Sequence, residues 1–211
     1  MSVATRILEG MTGTTPAAAF PGWVVPPATQ VEDLFWLAYA MYQDTAAAGV
    51  WGIHATVTWV RGGCGPAPVT GRGETPVTRG LARAEMWAAI ATYGSDDPPP
   101  PPPGGLGDYF GVPYRPPLRV SKVLAAGVLQ TLGWMLGEKG QAPPLMLPFR
   151  DPSGRPLTTD QLYTRLFRAD PDQYQLPERR RELQDRTERL GLQSQRTAAL
   201  IEETKRRVAE G

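Results

Sequence analysis

Part of the sequence pattern occurs twice, and this repeat is the strongest constraint on the fold. A tryptophan with a glycine three residues later occurs at Trp59 and again at Trp134. The matched segments are Trp59-x-x-Gly62, Ala67-Pro68, Gly71-Arg72 and Pro76-Val77-Thr78 in the first copy, and Trp134-x-x-Gly137, Ala142-Pro143, Gly154-Arg155 and Pro156-Leu157-Thr158 in the second. Glycine commonly ends helices and threonine commonly begins them. The repeat therefore predicts a duplicated helix–loop–helix unit, with both tryptophans as core anchors at helix ends.

Six consecutive prolines divide the sequence near its middle, at residues 98–103. Proline cannot continue a helix and favours polyproline II, so we expect a semi-rigid spacer rather than a ligand for SH3-like modules. The sequence thus predicts a mainly α fold, with two small helical modules joined by a polyproline spacer and a long C-terminal helix. The predicted parts are an extended N-terminal arm (1–28), helical module 1 (29–96), a Pro/Gly-rich linker (97–118), helical module 2 (119–170) and a long charged C-terminal helix (171–211).

Capping residues and hydrophobic periodicity locate the helices of module 1. Thr29, with Glu32 three residues later, predicts a capping box and a first helix. A second helix is expected over residues 46–61, and a third over residues 79–93 after Thr78 as its cap. The third helix has a narrow apolar face, and we expect three large side chains to widen it: Met86, Trp87 and Ile90.

Module 2 contains the most regular helical pattern of the chain. Apolar residues recur at i, i+3, i+4 and i+7 over residues 120–136, which predicts an amphipathic helix. The turn at residues 151–154 is expected to join two short extended pieces, 145–150 and 155–157. A short helix then opens at Thr158 or Thr159 and continues through residue 167.

Composition excludes several classes of protein. Lys and Arg number 22 and Asp and Glu 21, so a net charge of +1 gives no overall field for nucleic acid or an anionic membrane. The single cysteine excludes an intramolecular disulfide and a Cys-based zinc site within one chain, and favours a reducing compartment. No run of 18 apolar residues and no signal-peptide pattern is present, which predicts a soluble, unexported protein with no membrane partner.

The residues that commonly carry chemistry are isolated from one another. His54 is the only histidine and has no cysteine or carboxylate at ligand spacing, which is typical of a packed or surface histidine rather than a metal ligand or general base. Cys64 lies in a Gly/Pro loop without a neighbouring base, which argues against a nucleophile. The glycines around it lack the spacing of a phosphate-binding loop and are better explained as a helix C-cap and turn. We predict no catalytic residue, no cofactor and no metal.

The last element, residues 177–209, is a charged helix of about 50 Å with a thin apolar stripe. Such a helix packs on a partner or projects into solvent. Its cluster of arginines at 179–189 is able to contact phosphates, but interleaved carboxylates favour a solvated helix with i,i+4 ion pairs. The arm is either a frayed terminus or a strap across a neighbouring subunit. The residues predicted to contact a partner are Trp23, Arg179, Arg180, Arg181, Leu183, Leu190 and Ile201.

The segment GRPLTTDQLYTRLFRADPDQY, at residues 154–174, is followed by this charged helix. Together they resemble a tail common among uncharacterised proteins of actinobacteria and their phages. The resemblance covers roughly the last third of the chain. It implies a bacterial or phage setting and brings no catalytic residue with it.

Three function classes follow from these observations. An enzyme requires convergent groups, and only carboxylates brought together by the fold, such as Asp33, Asp44 and Glu85, offer them. A nucleic-acid-binding accessory or regulatory protein would use the arginines at 179–189. We expect the third class, a non-catalytic structural or assembly component of a bacterial or phage multi-protein particle that acts through its arm and C-terminal helix. Its partners would be other protein subunits, copies of itself among them, in a bacterial cytoplasm or a phage particle.

Overall fold

The computed structural model describes residues 20–62, 65–94, 110–113, 115–167 and 177–211. The predicted mainly α fold is confirmed over these residues, which contain six helices and no strand. The helices are α1 (Ala28–Thr45), α2 (Ala48–Val60), α3 (Arg79–Gly94), α4 (Lys122–Leu136), α5 (Thr159–Phe167) and α6 (Pro177–Glu210). The polyproline segment, Cys64 and most of the predicted arm lie outside the described residues.

The ends of α2 and α4 are formed in a similar way. Gly62 and Gly137 follow these helices with φ values of 73° and 71°, a left-handed conformation that glycine adopts without strain. The Gly62 N–H donates to the Trp59 carbonyl at 3.0 Å, and the Gly137 N–H donates to the Trp134 carbonyl at 3.1 Å. Gly137 is the C-cap of α4, as the sequence predicted, whereas in α2 the C-cap is Arg61 and the left-handed Gly62 follows it. Both tryptophans are buried.

The starts of α3 and α5 also correspond. The Thr78 hydroxyl accepts a hydrogen bond from the Leu81 N–H at 3.2 Å, and the Thr158 hydroxyl accepts one from the Gln161 N–H at 3.3 Å. The Gln161 side chain in turn accepts from the Thr158 N–H at 2.9 Å, which completes a capping box.

The capping box predicted for α1 is wrong. This helix begins at Ala28, and its N-cap Pro27 makes no side-chain cap hydrogen bond. The Pro27 carbonyl accepts hydrogen bonds from the N–H groups of Gln30 and Val31, which places Thr29 inside the first turn. The fixed φ of proline thus sets the N-cap at Pro27, two residues earlier than a cap at Thr29 would.

A close crossing of α2 and α4 forms the centre of the fold. The Cα of Gly52 lies against the Leu124 backbone, and that of Gly127 lies against the Gly49 backbone, so a Cβ at either glycine would overlap the opposing helix. Helix α1 packs on α2, α3 packs on α4, and α6 packs on both α1 and α5. The largest fully buried side chains in these layers are Trp59, Leu34, Leu132, Met135, Leu162 and Ile201.

The two predicted modules contact one another directly along α2, α3 and α4. Buried side chains from both modules, together with Ile201 of α6, belong to one hydrophobic cluster. The predicted domain boundaries themselves stay a prediction.

The described end of the predicted arm is attached to this body. The Trp23 indole Nε1 donates to the Val77 carbonyl at 2.8 Å, and the Val25 N–H donates to the Met135 carbonyl at 2.9 Å. Phe20 and Trp23 also pack against the core. Residues 20–27 therefore cover the end of α4 and the start of α3.

The prediction that large side chains widen the core face of α3 is wrong for Trp87 and Ile90, which are 37% and 41% exposed. The narrow face of α3 consists of Leu81, Ala82, Glu85, Ala88 and Ala89. Because most of these side chains are small, α3 lies close to α4, and the bulky residues beside them remain outside the contact.

Candidate functional site

The most distinctive surface is the first part of α6, which we call the α6 tip, residues 177–186. Every residue of the α6 tip is exposed except Leu183, which is half-buried. The helix has 34 residues and is therefore about 51 Å long, of which the tip contributes roughly 15 Å.

From Thr187 onward, α6 packs on the body through small residues. The buried positions are Thr187, Gly191, Ser194, Ala198, Ile201 and Thr204. Gly191 lies against Thr159 of α5, and the Ser194 hydroxyl accepts a hydrogen bond from the Phe149 N–H at 2.8 Å. Small side chains let the helix approach closely, so a stripe with few large apolar residues is enough to fix this half of α6.

The structure separates the predicted interaction residues into two groups. Arg179, Arg180 and Arg181 are exposed on the α6 tip with the half-buried Leu183, while Leu190 is half-buried beyond the tip. Ile201 is fully buried and belongs to the core cluster of its own chain, so it has no surface left for a partner. Trp23 is likewise engaged within the chain by its hydrogen bond to Val77.

A second exposed surface lies on α3. Trp87, Ile90 and Tyr93 are spaced three residues apart, which places them on one side of the helix. Tyr93 is 54% exposed, and the other two side chains are more than a third exposed. Tryptophan and tyrosine are enriched in protein interfaces, so this α3 stripe is typical of a contact surface.

The carboxylates that offered an enzymatic alternative do not converge. Asp33 is buried in a bidentate ion pair with Arg150, whose Nε lies 2.7 Å from Oδ2 and whose Nη2 lies 3.1 Å from Oδ1. Glu85 binds a loop beside α3, and Asp44 is exposed near the end of α1. Each carboxylate therefore has separate surroundings.

Arg150 connects three parts of the fold. Besides Asp33 of α1, it donates through Nη1 to the Gly154 carbonyl at 2.8 Å, and its Nη2 lies 4.0 Å from the Glu202 carboxylate of α6. Because Arg150 and Asp33 are 117 residues apart, this pair ties together distant segments. The guanidinium is occupied by structural contacts and is poorly suited to bind a substrate.

Arg150 also borders an open cleft of about 540 Å³ between the start of α1, the turn and α5. The charged side chains that line it are Arg150, Asp151 and Arg165. The hydrogen bond from the Ser153 hydroxyl lowers the pKa of the Asp151 carboxyl, so this exposed acid is ionised and offsets the charge of Arg165. The remaining charge, on Arg150, is paired with Asp33. Among the described residues, no buried side-chain atom without a hydrogen-bond partner lines this cleft, so the cleft offers no evident group to select a ligand.

Glu85 holds the loop that follows α2. Its Oε1 accepts hydrogen bonds from the N–H groups of Val69 at 2.5 Å and Thr70 at 3.2 Å, and its Oε2 lies 2.5 Å from the Thr70 hydroxyl. Burial is the largest influence and raises the pKa of Glu85, while these hydrogen bonds and nearby Arg72 act in the opposite direction. Arg72 is itself buried and donates to the Pro113 carbonyl and to Glu74.

An aromatic cluster surrounds His54, the only histidine of the sequence. The imidazole centroid lies 4.8 Å from that of Phe35, 5.6 Å from that of Tyr39 and 5.7 Å from that of Trp51. Neither ring nitrogen has a hydrogen-bond partner within the described residues. Burial lowers the pKa of His54 to about 4, so the ring is neutral at pH 7 and is a weak general base.

A signal for this cluster is present in the sequence. Phe35, Trp36, Tyr39 and Tyr42 recur at helical spacing along α1, and Trp51 and His54 are three residues apart on α2. Because α1 packs on α2, the two sets of rings meet between these helices. The periodicity of the aromatic residues alone would have indicated a second stripe on α1.

The described residues contain no group of three or more histidine, cysteine, aspartate or glutamate side chains suited to a metal ion. None of the helices in the same part of the chain combines the length and apolar character needed to cross a membrane. No known protein family, curated protein or solved structure matches this chain.

Proposed function

We propose that the protein is a non-catalytic structural or assembly component of a bacterial or phage multi-protein particle, and that it contacts its partner through the α6 tip. The observation that supports this proposal most is the difference in burial between the two parts of α6. The helix is fixed to α1 and α5 from Thr187 onward, whereas residues 177–186 are exposed apart from Leu183.

A helical segment of ten residues is marginal in water by itself, because the cost of nucleation exceeds the gain from a few hydrogen bonds. In this chain the buried half of α6 supplies the nucleus, so the tip is presented as a preformed helix. A partner that binds a preformed helix loses less conformational entropy than one that must order it. The α3 stripe, with exposed Trp87 and Tyr93, offers a second contact of the kind that dominates binding energy in interfaces.

The arm contributes to this proposal only through residues 1–19, which lie outside the described residues. Residues 20–27 are bound to their own body and are not a free strap. The bacterial or phage setting rests on the resemblance of residues 154–174 to tails of actinobacterial and phage proteins. A cytoplasmic location or a place in a phage particle is part of the same proposal.

The finer architecture, two helix–loop–helix modules joined by the polyproline spacer, is also part of the proposal. It is supported by three paired features: the tryptophans, the left-handed glycines and the threonine caps. A non-catalytic role is supported by the separation of the perturbed groups, since His54, Glu85 and Asp151 lie in three different surroundings.

Charge reversal on the α6 tip tests the proposal. We expect Arg179→Glu with Arg181→Glu to weaken the association of the protein with its assembly, either as oligomerisation measured by light scattering or as capture of a defined partner identified by reciprocal tagging. The matched control is Arg196→Glu with Arg206→Glu, which makes the same charge change at exposed positions on the attached half of α6. If both variants associated as strongly as the unmodified protein, a contact at the tip would be refuted.

The same variants distinguish binding of a protein partner at the α6 tip from binding of nucleic acid there. In the tip, Glu178, Glu182 and Asp185 accompany the arginines, which leaves little excess positive charge. We therefore expect weak retention on heparin or DNA at physiological salt. Strong binding whose affinity falls steeply with salt, and which only the tip variant loses, would favour the nucleic-acid function instead.

A further inference from the structure

The correspondence between the two halves extends further along α2 and α4 than the original repeat. Gly52 and Gly127 are separated by the same interval as Trp59 and Trp134, since 127 − 52 and 134 − 59 are both 75. Midway between each glycine and its tryptophan lies a buried threonine. The Thr56 hydroxyl donates to the Gly52 carbonyl at 2.7 Å, and the Thr131 hydroxyl donates to the Gly127 carbonyl at 2.7 Å. The extended pattern is G-x-x-x-T-x-x-W-x-x-G in both helices.

The contacts across the crossing are reciprocal. Gly52 of α2 lies against the backbone of Leu124, and Gly127 of α4 lies against the backbone of Gly49. Leu124 is 75 residues after Gly49, so exchanging the two halves converts the first contact into the second. Reciprocity of this kind, in which position i meets position j and j meets i, is the property of an interface with two-fold symmetry.

From this reciprocity we infer that the two halves of the chain are related as the subunits of a homodimer, and that the α2–α4 crossing is the interface between them. The surface of α2 around Gly52 thus fits the corresponding surface of α4 around Gly127. This inference rests on the proposed two-module architecture and does not depend on a partner contact at the α6 tip. It adds a spatial relation, an approximate two-fold axis through the crossing, to the repeat in the sequence.

The symmetry is confined to the crossing and the segments next to it. Helix α3 packs on α4, but its counterpart α5 packs on α6, and α2 is covered by α1. The surrounding helices therefore differ between the halves while the central contact is the same. We expect the crossing, together with the contacts of α3 with α4 and of α1 with α6, to hold the halves together without the covalent connection between them.

Cleavage of the full-length protein tests this expectation. A specific protease site is introduced within residues 95–109, the intact protein is purified, and the chain is then cut. We expect the two pieces to elute together as a one-to-one complex at micromolar concentration. Separation of the wild-type pieces under native conditions would show that the crossing is not a self-sufficient interface and would overturn the inference.

Paired substitutions test the symmetry. Gly52→Ala and Gly127→Ala each place a Cβ in the opposing backbone, and each should raise the Kd between the cut pieces by at least about tenfold. Gly73→Ala is the control, because a Cβ there meets no atom within 4 Å. Effects at Gly52 and Gly127 that differ by more than about tenfold would contradict a two-fold relation.

A second pair keeps the test decisive if the alanine variants do not fold. Thr56→Val and Thr131→Val remove the corresponding hydroxyls at nearly constant volume. A two-fold relation predicts equal increases in Kd for these two variants. A large effect from one threonine and none from the other would overturn the inference.

Discussion

Replacing His54 by phenylalanine should remove a pH-dependent part of the free energy of unfolding while the aromatic cluster stays packed. In the folded protein, burial lowers the pKa of His54 from 6.5 to about 4. The unfolded chain therefore binds more protons at this residue between those two pH values, and the free energy of unfolding falls as the pH falls from 6.5 towards 4. At about 1.4 kcal/mol for each pH unit, the loss approaches about 3 kcal/mol. The ring is partly exposed to water, which makes this value an upper limit.

Urea unfolding followed by tryptophan fluorescence, at pH 7 and at intervals down to about pH 4, measures this effect. The informative quantity is the difference in the free energy of unfolding between the wild type and His54→Phe at each pH. The contributions of carboxyl groups, which both proteins share, cancel in this difference. Glu85 is one of these, and its raised pKa acts in the opposite sense. We expect the wild type to lose 1 to about 3 kcal/mol more than the variant over this range. If the free energy of unfolding of the wild type and that of His54→Phe changed in parallel with pH, a buried neutral imidazole at His54 would be refuted.

Three further predictions concern stability. Trp59→Ala and Trp134→Ala should each cost about 3–5 kcal/mol in chemical denaturation, because both indoles are buried at helix ends. Glu85→Ala should cost about 2–3 kcal/mol by leaving two loop N–H groups without an acceptor. Glu85→Gln should cost less, and it should abolish the decline in stability that a raised carboxyl pKa causes as the pH rises. Asp33→Ala should cost about 3 kcal/mol by removing the buried bidentate partner of Arg150, and adding Arg150→Met should recover part of that loss in a double-mutant cycle.

Elements with strong local signals were predicted well from the sequence. The predicted helix over residues 79–93 is observed at Arg79–Gly94, and the predicted final helix, 177–209, is observed at Pro177–Glu210. Threonine caps and glycine C-caps act within one turn, so their effect on helix ends is visible in a short window. The start of α1 was missed because a neighbouring proline competed with the threonine.

Features that depend on the distance between helices were not predictable. The exposure of Trp87 and Ile90 follows from how closely α3 approaches α4, which periodicity does not reveal. The Arg150–Asp33 pair joins residues 117 positions apart, and no local pattern marks it. Likewise, periodicity placed Ile201 on an apolar stripe but gave no indication that the stripe packs on the chain's own core.

The glycine crossing also limits how far this sequence can drift during evolution. Most surface positions accept many side chains, whereas any residue other than glycine at Gly52 or Gly127 would have to push two helices apart. We expect the length of the proline run between the two halves, residues 98–103, to be under no such restriction, because the glycine contacts do not involve it. In distant relatives, two copies of G-x-x-x-T-x-x-W-x-x-G with a variable interval between them should therefore persist after the remaining residues have diverged.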